Sequence, residues 1–146
     1  MQNTITITAA DPKYREAIIN LLQAERLPVE DLPVNLPNFF IAMDNGLVLG
    51  AIGMEIYERD GLLRSLVVKS EYRKMKIAAG LINEVEKLGR CIGLHTIYLL
   101  TETAQKYFAG KGYQLIERKE APQLLQHSPE FSHVCPASAA LMKKYL

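Results

Sequence analysis

The sequence is poor in cysteine and has almost no net charge. Its two cysteines, Cys91 and Cys135, cannot build a disulfide framework and lack the spacing of a metal site, so we expect reduced thiols and no metal. The 17 basic residues nearly balance 16 acidic ones, for a formal charge of +1, which gives no overall basic surface for nucleic acid. These scarcities exclude a disulfide-rich scaffold and argue against a nucleic-acid-binding protein.

Long hydrophobic runs are also missing. No apolar stretch approaches the roughly 20 residues needed to cross a bilayer, and the first residues lack the charged and apolar regions of a signal peptide. We therefore expect a cytoplasmic protein with no membrane partner. At 146 residues, with 49% hydrophobic and 23% charged residues, the composition predicts one globular domain over residues 1–146.

A strand–turn–helix junction is the central feature of the sequence. Residues 62–68 form an apolar run rich in β-branched residues, and apolar residues return at helical spacing over residues 77–92. A short basic turn separates the two. The backbone N–H groups and the dipole of a helix that begins in this way favour an anion, so we predict an anion site at this junction.

The remaining pattern predicts an alternation of strands and helices. Asn45-Gly46 between two apolar runs indicates a hairpin, and Pro28, Pro33 and Pro37 argue against a regular element between residues 27 and 38. The predicted strands cover residues 4–8, 39–43, 47–57, 62–68, 95–100, 113–118 and 137–146, and the predicted helices follow Asp11 to about residue 26, residues 77–92 and a short segment near residues 104–111. The buried strand 95–100 should run parallel to 62–68, because a helix connects them.

The segment VVKSEYRKMKIAA, residues 67–79, resembles the acyl-CoA signature of the Gcn5-related N-acetyltransferases, the GNAT family. Residues 98–113 (YLLTETAQKYFAGKGY) resemble the later signature of that family, and the predicted element order agrees with it. Within the family, this later segment is similar to N-acetylglutamate-synthase-type domains. Glu130-Phe131 and Cys135-Pro136 add a loose resemblance to the arsenic-resistance N-acetyltransferase branch.

The resemblance implies an α/β (α+β) fold: a mixed, mostly antiparallel sheet of about seven strands, with helices on both faces, splayed at the acyl-CoA site. It implies acetyl-CoA as co-substrate, with a homodimer as one compatible assembly. The end of the strand would hold the pantetheine arm and the thioester carbonyl, and the following turn would hold the pyrophosphate. The residues expected to bind CoA are Leu66, Val67, Val68, Arg73, Lys74, Met75, Lys76, Ile77, Ala78 and Ala79.

Two positions depart from the family pattern. Lys76 stands where the family usually has glycine, which lets a phosphate approach the backbone. Phe108 stands where many members have the tyrosine that protonates the CoA thiolate. The neighbouring Tyr107 is therefore our candidate acid, although helical geometry points it about 100° away from Phe108.

Glu55 is the first candidate for the general base that deprotonates the substrate ammonium, and Glu102 is the second; the alternative for both is a solvated carboxylate. Arg64 lies inside an apolar strand, where an unpaired charge would be costly to bury. It either faces a polar cleft and binds a substrate carboxylate or lies solvated on an open sheet face. Cys135 lies in an irregular segment that could fold over the substrate pocket, where it would bind substrate as a soft or arsenic-binding ligand; the alternative is an inert buried thiol.

The sequence thus predicts an N-acetyltransferase that moves acetyl from acetyl-CoA to the primary amine of a small metabolite, such as an amino acid or an analogue, by direct attack. The alternatives are a non-catalytic acyl-CoA-binding regulatory module and a protein N-acetyltransferase.

Overall fold

The computed structural model describes residues 4–129, 131 and 138–146. Within these residues, seven strands form one sheet in the order β1-β2-β3-β4-β5-β7-β6. The strands are β1 (Thr6–Ala9), β2 (Phe39–Asp44), β3 (Leu47–Tyr57), β4 (Asp60–Val68), β5 (Thr96–Thr101), β6 (Gln114–Ile116) and β7 (Ala140–Tyr145). The α-helices are α1 (Arg15–Ala24), α2 (Ile77–Cys91), α3 (Gln105–Ala109) and α4 (Gln123–Gln126).

The sheet is mixed, as the sequence predicts. β4 and β5 pair in parallel, and every other strand pairing in the sheet is antiparallel. The parallel pair is joined by α2, which supplies the crossover that such a connection needs. The β2–β3 hairpin turns at Asn45 and Gly46, whose φ angles of 50° and 83° are both positive, as a two-residue type I′ turn requires.

Six of the seven predicted strands differ from the observed strands at their ends, by one to three residues. β1 begins at Thr6 rather than residue 4, and β4 begins at Asp60 because the β3–β4 hairpin is tight enough to pair Tyr57 with Asp60. β6 spans only Gln114–Ile116 instead of residues 113–118. A 3₁₀ turn, Arg118–Glu120, ends it, and this turn is closed by reciprocal hydrogen bonds of a capping box between Glu117 and Glu120.

Helices cover both faces of the sheet. α2 packs Leu81 and Val85 against Leu49 and Ile52 of β3, in a cluster that extends to β5. On the opposite face α1 packs Ile18 and Leu22 against residues of β2 and β3, including Phe39 and Ile41 of β2. The segment 27–38, which has no helix or strand, adds Leu32 and Leu36 to this second cluster. A third cluster, also on this face, joins Leu62, Tyr98, Leu125 and Phe131.

A buried carboxylate on α2, that of Glu86, bonds to Tyr113 and to Lys144 of β7. Glu86 of α2 is 6% exposed and accepts a 3.0 Å hydrogen bond from the Tyr113 hydroxyl. The Lys144 ammonium of β7 lies 3.0 Å from the same carboxylate. Burial and then the Glu86 charge raise the pKa of Tyr113, so this hydroxyl stays protonated and remains a donor.

The strand β4 carries one extra residue opposite β3. Gly53 pairs with Arg64 and Ala51 pairs with Val67, so that β3 advances by two residues while β4 advances by three. The inserted region contains Ser65 at φ 58°, the left-handed conformation common at such bulges. The parallel pairing of β4 with β5 ends just before it, at Leu63 and Leu99. Beyond this point the two strands separate, which is the splay that the family resemblance implies.

The close contact between Gly53 and Phe39 gives a prediction about stability. A Cβ at position 53 would lie 2.4–2.7 Å from three atoms of the buried Phe39 ring. We expect Gly53→Ala to lower the free energy of unfolding by about 1–3 kcal/mol, through overpacking. Denaturant unfolding followed by circular dichroism measures this.

The control is Gly80→Ala in α2, where the added Cβ would meet only the flexible end of Ile7 and alanine favours the helix. Equal stability changes for the two variants would contradict the packing argument.

Candidate active site

A cleft of about 670 Å³ opens where β4 and β5 separate. One wall is the second half of β4, from Leu63 to Val68, and the other is the end of β5 with the residues that lead into α3, from Leu99 to Ala104. Residues 25–28, at the end of α1, and Ala78 of α2 also line the cleft, so it reaches both faces of the sheet. Its size is that of a typical small-molecule site.

The two strands turn backbone edges toward this cleft. In the register, Val67 and Val68 pair with β3, and Leu100 and Thr101 pair with β7, but none of these four pairs across the gap. Peptide groups on such an edge can pair with an extended ligand that carries amide groups, in the manner of an added strand. The predicted residues Leu66, Val67 and Val68 all line the cleft.

Lys76 has the backbone conformation for which glycine is suited. The 3₁₀ turn Ser70–Met75 leads out of β4, and Lys76 then adopts φ 60° and ψ 24°, in the left-handed region, before α2 begins at Ile77. A side chain in this conformation costs free energy that glycine avoids. The lysine that replaces glycine therefore strains the backbone locally. The turn still adopts the left-handed conformation at this position.

Among the side chains that the structure describes, none caps the N-terminus of α2. The first N–H groups of a helix lack partners inside the helix and attract anions. The predicted residues Ile77, Ala78 and Ala79 form this first turn, and Met75 precedes it with half of its surface exposed. The backbone of Lys74 belongs to the 3₁₀ turn before the helix.

Arg73 lines the cleft beside this helix terminus. Its Nη2 lies 2.5 Å from the Glu25 carboxylate at the end of α1, and its Nε donates to the Val68 carbonyl at 3.2 Å. Both side chains of the ion pair remain more than a third exposed. An exposed pair of this kind contributes little to stability, so the guanidinium can exchange Glu25 for another anion at low cost.

α3 places Tyr107 and Phe108 on the cleft together. Phe108 is 4% exposed and packs edge-on against Tyr113, whereas Tyr107 is 41% exposed. Both residues line the cleft. Tyr107 therefore reaches the cleft although it points about 100° away from Phe108 around the helix. Burial raises the pKa of the Tyr107 hydroxyl, which therefore stays protonated at neutral pH.

Glu55 and Arg64 form an ion pair on neighbouring strands. Arg64 Nη1 lies 2.6 Å from one Glu55 oxygen, and the Tyr57 hydroxyl donates to the other at 2.6 Å. Arg64 also makes two short contacts to the Asp31 carboxylate. With 2% of its surface exposed, Arg64 does not lie solvated on an open sheet face, which excludes one of the two alternatives. Arg64 and Glu102 line the cleft, and Glu55 is not among its lining residues.

The predicted Cys135 lies outside the described residues, as does Glu130 of the arsenic-resistance resemblance. Among the residues that the structure describes, no group of His, Cys, Asp and Glu side chains could hold a metal ion. The same part of the chain contains no helix that is long and apolar enough to cross a membrane.

Sequence reasoning missed two features of the site. Asp31 stands 33 positions before its partner Arg64, in a segment predicted only as an irregular loop, and no local signal connects them. The bulge at Ser65 lies where the cleft opens. It could not be predicted, because the residue with positive φ is a serine and not the glycine that usually marks a bulge. The buried position of Arg64 was the signal for an acidic partner, because an isolated charge is rarely buried.

Solved structures with the same fold include several acetyltransferases. The N-acetylglutamate synthase from Neisseria gonorrhoeae, complexed with coenzyme A and N-acetyl-glutamate, aligns with a TM-score of 0.84 at 16% identity over 100% of this chain. The chain spans only 36% of that protein's length. Rv2747 from Mycobacterium tuberculosis, in complex with CoA, aligns with a TM-score of 0.82 at 20% identity over 97% of this chain and 99% of that one.

A third relative is the paiA N-acetyltransferase from Thermoplasma acidophilum, in complex with coenzyme A. It aligns with a TM-score of 0.74 at 16% identity, over 99% of this chain and 100% of that chain. None of the curated proteins matches the chain in sequence. The profile described as "Acetyltransferase (GNAT) domain" matches residues 35–115, which is more than half of the chain and covers β2 to β5 and the start of β6. The chain therefore belongs to the GNAT family of acetyltransferases.

Proposed function

We propose that this protein is an acetyl-CoA-dependent N-acetyltransferase that acetylates the primary amine of a small metabolite. The observation that carries the proposal is the cleft between β4 and β5, which joins two unpaired strand edges to an uncapped helix terminus. Solved relatives with this fold contain coenzyme A. A single acyltransferase domain over residues 1–146 and a cytoplasmic location remain part of the proposal.

In this proposal the residues of the chain bind CoA at two points. The pyrophosphate lies at the first turn of α2, where backbone N–H groups and Arg73 offer hydrogen bonds and positive charge. The pantetheine arm lies between the strands, and a backbone N–H near Val67 polarises the thioester carbonyl. Such a donor typically contributes about 10²–10³-fold to the rate.

The reaction is a direct transfer. The neutral amine attacks the thioester carbonyl carbon, so that a C–N bond forms and the C–S bond breaks. A base takes one proton from the nitrogen, and Tyr107 gives its phenolic proton to the departing thiolate. Tyr107 suits this step because its raised pKa keeps it protonated and because its ring lines the cleft.

Glu55 and Glu102 remain the candidates for the base. Both Glu55 oxygens already accept hydrogen bonds, from Arg64 and Tyr57, which argues for a role in holding the site. Glu102 lines the cleft and is exposed. Amino acids are the first acceptors to test, because the N-acetylglutamate synthase with this fold was solved with N-acetyl-glutamate.

A non-catalytic acyl-CoA-binding module is the second candidate, favoured by the buried Phe108 at the position where many members have the acid. Calorimetric titration with acetyl-CoA tests the feature common to both candidates. A thiol-release assay with glutamate, spermidine and kanamycin then separates them. Tight binding without turnover of any amine would favour the module, and no binding at millimolar acetyl-CoA would reject both.

Substitutions at the two partners of the Arg73–Glu25 ion pair should affect the KM for acetyl-CoA differently. Arg73→Ala should raise the KM for acetyl-CoA about tenfold, because a charge-assisted bond to phosphate is lost. Glu25→Gln should lower that KM or leave it unchanged, because it removes the anion that competes for Arg73. Initial rates at varied acetyl-CoA measure both. A rise in KM in both variants would mean that the pair acts only structurally.

The strain at Lys76 can be separated from its charge. Lys76→Gly removes both, whereas Lys76→Ala removes the charge and keeps a Cβ at φ 60°. We expect the glycine variant to unfold with a free energy about 1 kcal/mol higher than the alanine variant. Denaturant unfolding measures the difference. Equal stabilities would show that this turn relaxes away from the left-handed conformation.

Calorimetry on the same two variants tests the charge. Both should bind CoA more weakly than the unmodified protein if the lysine ammonium contacts the pyrophosphate. Unchanged affinity in both would remove the Lys76 side chain from the site.

The role of Tyr107 can be tested through turnover. Tyr107→Phe should lower kcat by about 10²-fold or more with little change in the KM for acetyl-CoA, because it removes a proton donor and keeps the ring. Tyr145→Phe is the control, since Tyr145 lies 62% exposed on β7 and outside the cleft lining. An unchanged kcat would exclude Tyr107 as the acid.

A further inference from the structure

Arg64 is a buried arginine held from two directions. Its side chain has no exposed surface, and it lies between the carboxylates of Asp31 and Glu55. Nη2 donates to one Asp31 oxygen at 2.7 Å and Nη1 donates to the other at 2.8 Å, which is the bidentate geometry of a strong arginine–carboxylate pair. Nη1 also donates to Glu55 at 2.6 Å, and Nε donates to the Ser65 hydroxyl at 3.0 Å.

These contacts connect parts of the chain that are distant in sequence. Asp31 belongs to the segment 27–38, Glu55 to β3 and Arg64 to β4. Tyr57 extends the group through its hydrogen bond to Glu55, and its ring packs with the cluster of Leu62, Leu125 and Phe131. The guanidinium therefore lies between the cluster that α1 and segment 27–38 build and the cluster that contains α4.

The segment 27–38 is also a wall of the cleft. Its first residues, Leu27 and Pro28, line the same cleft as Arg64 and Ser65. Leu32 and Leu36 of the same segment are buried against the sheet, and Arg15 of α1 donates to the Leu32 carbonyl at 2.8 Å. Asp31 is the point at which this wall is joined to β4 by a charge pair.

The Arg64 donors are already used within the protein. In the described part of the chain, no buried side-chain nitrogen or oxygen lacks a hydrogen-bond partner. A substrate carboxylate could reach the guanidinium only by displacing Asp31 or Glu55, which would leave a carboxylate without its counter-charge in a partly buried place. The geometry thus opposes the predicted contact between Arg64 and a substrate.

We propose that Arg64 is a positioning residue that fixes segment 27–38 against β3 and β4 and so sets the shape of the acceptor side of the cleft. This inference rests on the proposed function, because it assumes that the amine enters between this segment and the strands. Arg64 acts through Asp31 and does not touch the reacting atoms.

The test removes the charge of Asp31 with little change of shape. Asp31→Asn, in the full chain, should speed the amide exchange of residues 27–38 with deuterium by about tenfold or more, because the segment opens locally more often. It should raise the KM for the best amine among glutamate, spermidine and kanamycin about 10–100-fold, because a wall displaced by about 1 Å misplaces the amine. The KM for acetyl-CoA should change little.

The matched control is Glu30→Gln, which removes an exposed carboxylate from the neighbouring position of the same segment. It should leave exchange and both KM values unchanged. Glu55→Gln is the second variant and should reproduce the effect of Asp31→Asn on the amine KM, with a milder change in exchange, since Glu55 lies on a strand.

Three results would overturn the inference. The first is an Asp31→Asn protein that behaves like Glu30→Gln. The second is faster exchange of residues 27–38 with an unchanged amine KM. The third is an Arg64→Lys protein that loses turnover only with amines bearing a carboxylate, which would make Arg64 a substrate ligand. If the unmodified protein turns over no amine, the proposed function fails, and the exchange comparison still decides whether the Asp31–Arg64 pair holds this segment.

Discussion

The structure depends on the point where the parallel pairing of β4 and β5 stops. The pairing ends at Leu63 and Leu99, next to the one-residue bulge that contains Ser65. Each strand stays paired on its other side, with β3 or β7, so the separation does not unravel the sheet. It leaves two facing edges whose peptide groups need partners, because unpaired backbone groups away from water are costly. A ligand with its own amides can supply those partners.

The two arginines beside this cleft differ in how far their charge is exposed. Near the start of α2, the Arg73–Glu25 pair is exposed and the helix has no side-chain cap, so positive potential is available to an anion. Near β3, Arg64 is buried and bonded to two carboxylates, so its charge is neutralised within the protein. Removing one partner of such a buried pair typically costs about 3–5 kcal/mol. The exposed arginine is therefore accessible to a ligand, whereas the buried one is already bonded within the protein.

Local sequence signals predicted the features that depend on a few neighbouring residues. Asn45-Gly46 specified its hairpin because few other pairs tolerate two positive φ angles. The helical spacing from Ile77 onward specified α2, and the helix in turn specified the parallel pairing of its flanking strands. The Asp31–Arg64 pair and the bulge could not be predicted in this way. Both depend on how distant segments meet, and Ser65 adopts its left-handed conformation without a residue type that favours it.

Lys76 shows why a motif can depart from its pattern and still keep its geometry. The turn between β4 and α2 must reverse direction within a few residues, and Lys76 takes the left-handed conformation that completes it. The cost of a side chain there, about 1–2 kcal/mol, is small beside the burial of Ile77 and Leu81 in the first turns of α2, which fix where the helix lies. The packing of the helix therefore determines the path of the turn, and the residue at position 76 changes the stability of the turn more than its course.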